Sequence, residues 1–238
     1  MEVITVESAV FGARSSVLVS DDGSCVVIDA GAGVTDSIVG LVTDRGLRAA
    51  AVLLTHGHVD HTWDAGRLSD ALDVPVVMHA ADVYRLADPF GTLGVLGSVG
   101  RPPHDPSGPL AQAIAASGID PAAYAAPRRV EPFGAVDEPR SADTVLDLGG
   151  LRVVARHAPG HTEGSTLYLV DSVAFTGDVL FAGSVGRTDL PGGDDATMRR
   201  TLREVVATLP PDTVVVPGHG PTSDIATELA RNPYLQRL

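Results

Sequence analysis

The stretch Thr-His-Gly-His-Val-Asp-His at positions 55–61 gathers three of the chain's eight histidines and an aspartate into seven residues. Neutral imidazole and carboxylate are the donors that zinc and other first-row divalent cations take, and the single cysteine leaves no way to build a closed sulfur site. His56 and His58 flank Gly57, so in an extended turn both rings can face one ion. Asp60 and His61 are adjacent; at the start of a helix their side chains point about 100° apart, which suits them to a different ion. Two metals are therefore expected. Further metal-competent residues stand alone at His161, Asp178 and His219.

Strand patterns supply the frame that could bring these positions together. The run 50–54 leads into His56, 151–157 leads toward His161, 172–177 ends before Asp178, and 213–217 ends before His219. Strands of a sheet end along common edges, so side chains just past four strand ends can converge on one cleft. Apolar runs at 3–6, 16–20 and 25–29, with the turn Asp-Asp-Gly-Ser between the last two, predict an N-terminal antiparallel sheet. Helices are expected over 35–44, capped by Thr35, and near 62–72, 80–87, 110–118, 195–208 and 222–231, with further strands at 75–79, 144–148 and 165–170. Strands and helices recur in both halves, which predicts an α/β fold of two sheets packed face to face with helices outside.

Residues 88–140 break this rhythm. Five glycines and five prolines fall within 88–109, a density that disfavours regular structure. Phe90, Leu93, Val95, Leu96 and Val99 would be poorly placed in water, so this Gly/Pro-rich insertion is expected to act as a lid over a neighbouring pocket, with a solvated surface excursion as the alternative. The rest of 1–238 is read as a single domain.

Composition narrows the partners. A net charge of -13 disfavours nucleic acid and anionic membranes, and no apolar run approaches the ~20 residues that span a bilayer. A soluble cytoplasmic protein acting on a small molecule is expected, its oligomeric state left open. Cys25 lies in an apolar run and is read as packing. All 17 basic residues are arginine, so a substrate anion would be met by arginine, histidine, backbone amides or metal.

The motifs Thr-His-Gly-His-Val-Asp-His at 55–61, Gly-His-Thr-Glu-Gly-Ser at 160–165, Phe-Thr-Gly-Asp at 175–178 and Pro-Gly-His-Gly-Pro at 217–221, in that order, resemble those of the metallo-β-lactamase superfamily. The segment 181–194 and the closing 231–235 are similar to the glyoxalase II-like thioester hydrolase branch. The resemblance implies an αββα sandwich of two mixed sheets. It also implies two divalent ions, zinc first, with iron or manganese compatible with the same donors. One ion would be held by His56, His58 and His161, the other by Asp60, His61 and His219, with Asp178 bridging them. Asp29 resembles a position that supports the site from behind the ligands, and Arg187 is the candidate cation for substrate. Asp60 would orient the nucleophile, a hydroxide shared by the ions, for attack on an acyl thioester. His79, His104 and His157 are read as structural or solvated, and Trp63 as a core residue rather than a wall of the cleft.

Other readings remain. A persulfide dioxygenase of this fold uses one iron, and a β-lactamase or a nuclease shares the same scaffold. A metal-bearing binding module without turnover is the reading from a different class. Relatives that act on glutathione thioesters often add a cationic C-terminal helical domain, and the carrier thiol is open here. Many relatives also place glycine where Asp64 stands.

Overall fold

In the computed structural model, residues 1–96, 108–136 and 142–238 are described, with the side chains of 94–96 left aside. The first sheet is built from β1 (Glu2–Glu7), β2 (Arg14–Val19), β3 (Ser24–Ile28), β4 (Arg48–Leu53), β5 (Val76–His79) and β6 (Val130–Phe133), in that spatial order. Its first three strands are antiparallel, whereas β3 to β6 run parallel through crossovers containing α1 (Thr35–Asp44), α2 (Val59–Thr62), α3 (Ala65–Leu72) and, in the insertion, α4 (Pro109–Ala116). The second half contributes β7 (Thr144–Leu148), β8 (Leu151–His157), β9 (Thr166–Val170), β10 (Val173–Gly177), β13 (Val214–Pro217) and β14 (Ser223–Asp224), ordered β14-β13-β10-β9-β8-β7. Between them lie a small hairpin, β11 (Leu180–Phe181) and β12 (Ser184–Val185), and α5 (Asp195–Glu204); α6 (Ile225–Arg231) follows β14.

Period-two alternation assigns the strands to layers. Val26, Ile28, Ala51 and Leu53 of the first sheet meet Val153, Tyr168, Phe175 and Val216 of the second in an inter-sheet core. Their neighbours Val27 and Val52 point the other way, onto Ile38 and Val42 of α1 and Leu68 of α3. On the far face of the second sheet, Leu167, Ala174 and Val215 pack on Met198 and Leu202 of α5 and Ile225 of α6. The result is the four-layer αββα sandwich with two mixed sheets.

Several local expectations change. Residues 130–133, inside the insertion where no strand was expected, form β6 parallel to β5: an edge strand with a Pro132 and two exposed positions carries no alternation signal. The helix expected over 62–72 is split into α2 and α3, and the one over 80–87 is a 3-10 helix at Ala80–Leu86. The hydroxyl of Thr35 does not cap α1. Val34 occupies the cap position, and the buried Asp64 carboxylate accepts hydrogen bonds from Thr35 N (3.0 Å) and Thr35 Oγ1 (2.8 Å). A glycine at 64 could not supply that acceptor, which explains the aspartate there.

The described part of the insertion is anchored to the body. Phe90, Leu93, Ala111, Ile114 and Tyr124 pack with Val59 and Trp63, so Trp63 is a core residue. His104 and the side chains of Val95, Leu96 and Val99 lie outside the described residues. Among the described residues, no helix is long and apolar enough to cross a membrane.

Candidate metal centre

The loops after β4, β8, β10 and β13 do bring the seven expected residues together. Ligand atoms of His56, His58 and His161 lie within 4.8 Å of one another; so do those of Asp60, His61 and His219, and of His56, His61 and Asp178. His161 Nε2 is 2.9 Å from His58 Nδ1, and His61 Nε2 is 3.1 Å from His219 Nε2. Asp178 stands between the two groups: its Oδ1 is 3.3 Å from His61 Nε2, and its Oδ2 is 3.6 Å from His219 Nε2 and 3.7 Å from His161 Nε2. Asp60 Oδ2 is 3.3 Å from His219 Nε2.

Behind the rings, hydrogen bonds set which nitrogen faces inward. Asp29 Oδ2 accepts from His61 Nδ1 at 2.9 Å and from Thr55 Oγ1 at 2.8 Å, and Thr55 Oγ1 in turn accepts from His56 Nδ1 at 3.1 Å. His161 Nδ1 donates to the Arg187 carbonyl (2.7 Å), and His219 Nδ1 to that of Phe11 (3.1 Å). Each of these four rings thereby turns its Nε2 toward the centre, the arrangement that orients imidazole ligands. Asp29, the candidate supporting residue, stands behind His61 and Thr55. The candidate cation Arg187 lines the cleft, yet its guanidinium is held bidentately by Asp189 at 2.6 and 2.7 Å, and its carbonyl does the orienting.

A metal fits this donor set. His56 Nε2 and Asp178 Oδ1 are buried without a hydrogen-bond partner, a costly state for two polar atoms in one site unless something electropositive lies between them. Charge tells the same story. Burial, followed by the neighbouring histidines, pushes His56 well below the usual imidazole range, and His58 likewise. Burial alone would also lower His61, but Asp178, Asp60 and Asp29 outweigh it and hold His61 well above that range; Asp60 and Asp178 raise His219 in the same way. Burial opposes ionisation of Asp60 and Asp178, yet His61 foremost keeps both carboxyls low. Carboxylates and imidazoles thus favour each other's charged forms: Asp60 and Asp178 are pushed toward ionisation, and His61 and His219 toward protonation.

Two predictions follow from this balance. Because the carboxylates favour the protonated forms of His61 and His219, a divalent cation taken up there competes with protons on these two rings. The calorimetric enthalpy of loading is therefore expected to scale with the ionisation enthalpy of the buffer, and affinity to fall as pH falls. A buffer-independent enthalpy would show that these rings are already neutral. Separately, Asp29 has φ +60°, a left-handed conformation that asparagine also tolerates, so Asp29→Asn removes the charge with little backbone strain. It is expected to weaken metal binding roughly 10- to 100-fold. Competition against a chromophoric chelator would measure this, and wild-type affinity would contradict it.

Two residues that sequence reading missed tie the ligand loops to each other. Asp82 is fully buried; its Oδ2 accepts from Gly57 N (2.7 Å) and Thr162 Oγ1 (2.7 Å), and its Oδ1 from Gly164 N (2.8 Å). One carboxylate therefore pins the loop carrying His56 and His58 to the loop carrying His161. Beside it, the fully buried Arg85 donates to Glu163 Oε2 (2.5 Å) and the Pro191 carbonyl (2.9 Å). A Cβ at position 57 would meet Arg85 Cδ at 2.6 Å, which is why glycine separates the two histidines. Asp82 follows strand β5 as the metal ligands follow theirs, and that placement was the available signal. Of the histidines outside the motifs, His79 and His157 are buried and stacked on each other, ring centroids 3.9 Å apart, away from the seven.

The centre forms the floor of a cleft of about 430 Å³ whose walls include Phe11, Val59, Leu93, Leu110, Phe181 and Leu190. Phe11 sits at the rim with a backbone φ of +56°.

This fold and this donor set define a metal-dependent hydrolase scaffold. The chain belongs to the metallo-β-lactamase superfamily, whose family profile matches residues 9–219. Among similar sequences are a "probable metallo-hydrolase YqgX" of Bacillus subtilis, 33% identical with 94% of this chain and 92% of that one covered, and the "hydroxyacylglutathione hydrolase GloC" of Haemophilus influenzae, 30% identical with 99% and 97% covered. Among solved structures are the B3 metallo-β-lactamase BLEG-1 (TM-score 0.76, 29% identity, 98% and 99% covered) and TTHA1623 in a di-iron-bound form (TM-score 0.72, 30% identity, 98% and 100% covered). The fold binds divalent metals, and the di-iron form of TTHA1623 is an example with iron.

Proposed function

We propose that the protein is a metal-dependent hydrolase that cleaves an acyl thioester of a low-molecular-weight thiol. The observation that carries this reading is the apposition of His56, His58 and His161 with Asp60, His61 and His219 across Asp178, at the floor of one cleft. Bound there, two divalent cations, zinc first, would supply an ionised water as nucleophile and an electrophile for the carbonyl oxygen. The protein's own residues do the rest. Asp29, Thr55 and the carbonyls of Arg187 and Phe11 fix the imidazole tautomers before any substrate arrives. Asp60, whose carboxylate reaches over His219, is placed to accept a hydrogen bond from the attacking water and hold its lone pair toward the acyl carbon.

The apolar walls exclude bulk water and accept the acyl group. A thiolate is already a good leaving group, so no strong general acid is needed, and the cleft lining holds no lysine or tyrosine to serve as one. The hydroxyacylglutathione hydrolase name of the Haemophilus relative supports thioester chemistry, as do the motif segments at 181–194 and 231–235.

The test is elemental analysis of purified protein combined with a substrate panel. Two zinc or iron ions per chain with turnover of acyl thioesters is the expected result. Nitrocefin turnover without thioester turnover, or oxygen consumption with a persulfide, would replace the reading with a β-lactamase or a dioxygenase respectively.

A further inference from the structure

A second cavity, of about 420 Å³, lies behind the segment that walls the metal cleft; Gly186 and Arg187 line both. Its lining includes four of the chain's 17 basic residues, Arg187, Arg199, Arg203 and Arg237, against one acidic side chain, Asp195, and the terminal carboxylate of Leu238. The local charge is thus opposite in sign to that of the whole protein, which carries -13. Asp195 pairs with Arg199 at 3.0 Å and Asp189 holds Arg187. Among the described residues, Arg203 and Arg237 have no carboxylate within ion-pair distance, although acidic residues number 30 to 17 basic ones. Arg199 and Arg203 stand one turn apart on α5, where like charges repel. Self-repulsion left standing in an acidic protein is the pattern expected where an external anion completes the balance.

The remaining lining says what kind of anion. Met198 and Leu202 form a buried apolar floor, and the Tyr234 side chain, 51% exposed, stands at the side. Guanidinium forks match phosphate oxygens, while an exposed phenol ring over an apolar floor suits a planar base. A small peptide thiol would bring carboxylates and an ammonium, but no ring for this floor.

The geometry points to an anchoring site for the phosphate-bearing, nucleotide-like end of a carrier thiol, whose acyl end reaches the metal cleft past Gly186 and Arg187. This rests on the thioesterase reading for the acyl end, while the anchoring site itself can be tested without it.

Adenosine 3′,5′-bisphosphate is the probe for direct binding. Calorimetry is expected to detect it on the metal-loaded wild-type protein and to lose it in Arg203→Ala/Arg237→Ala, with Arg203→Lys/Arg237→Lys recovering part of the affinity. No binding to wild type, or equal binding to wild type and the alanine variant, overturns the site. The second measurement compares one acyl group carried on coenzyme A and on phosphate-free N-acetylcysteamine. The alanine variant is expected to raise KM for the coenzyme A thioester roughly 10- to 100-fold, the scale of losing two charged contacts, with kcat kept and the N-acetylcysteamine thioester unaffected. Equal KM effects on both substrates would overturn the spanning arrangement. Nucleotide binding with no thioester turned over would sink the hydrolase reading and leave the anion site standing. Circular dichroism and thermal melts of both variants guard against misfolding, which is not expected for two exposed arginines.

Discussion

Replacing Asp178 with asparagine is expected to lower the metal content from two ions per chain to one or fewer and to reduce thioester kcat/KM by roughly 10²–10³-fold or more, the scale of removing one preorganised electrostatic group. The volumes are nearly equal, so packing is not the cause. Asp178 is the carboxylate common to both histidine groups, within 3.3 to 3.7 Å of His61, His219 and His161. Its Oδ1 is buried and unpartnered, a lone pair kept dry for an ion. An amide presents one oxygen where two are used and turns an N–H toward a cation. Metal analysis of dialysed protein beside steady-state kinetics would check this; two tightly held ions with undiminished turnover would remove Asp178 from the centre.

The second large effect is expected at a residue that touches no ligand ring. Asp82→Ala removes the acceptor for Gly57 N, Gly164 N and Thr162 Oγ1 and leaves Arg85 buried beside a void. Breaking a buried ionic network from one side costs about 3–5 kcal/mol; here Arg85 keeps Glu163 as its other carboxylate partner, and the three donors Gly57 N, Gly164 N and Thr162 Oγ1 lose their buried acceptor. For a chain of this size the melting temperature is expected to fall on the order of 10 °C. The two ligand loops also lose their common anchor, so metal affinity should fall even where the variant is folded. Asp82→Asn keeps an acceptor for some of these donors and should lie between the two. Thermal melts with and without metal separate the effects: a variant as stable as wild type, with wild-type metal affinity, would show that the loops hold their positions without Asp82.

The layers of this fold were legible because burial on a sheet alternates. Val27 and Val52 against Val26 and Leu53 give the first sheet two apolar faces, Leu167 and Ala174 against Tyr168 and Phe175 give the second sheet two, and a sheet with two apolar faces needs cover on both. What the pattern could not show was β6, whose exposed edge position imposes no alternation, or the split between α2 and α3, which follows from Asp64 leaving the helix to cap α1. Element boundaries were set by such hydrogen bonds with distant parts of the chain.

The sequence by itself determined the donor set. The candidate donors His56, His58, Asp60, His61, His161, Asp178 and His219 are named by their types and by their positions after strands, since donor chemistry is carried by residue type. Tertiary structure alone decided how those ligands are aimed and joined. The orienting acceptors behind them, Asp29, Thr55 and the carbonyls of Phe11 and Arg187, come from four separate segments, and a backbone carbonyl carries no residue-type signal. Asp82 and the arginines of the second cavity are likewise ordinary residues in the chain. Asp82 gains its meaning from residues up to 82 positions away that folding brings within hydrogen-bond reach, and the arginines gain theirs from sharing one cavity, because desolvation and Coulomb interaction depend on distance in space rather than along the sequence.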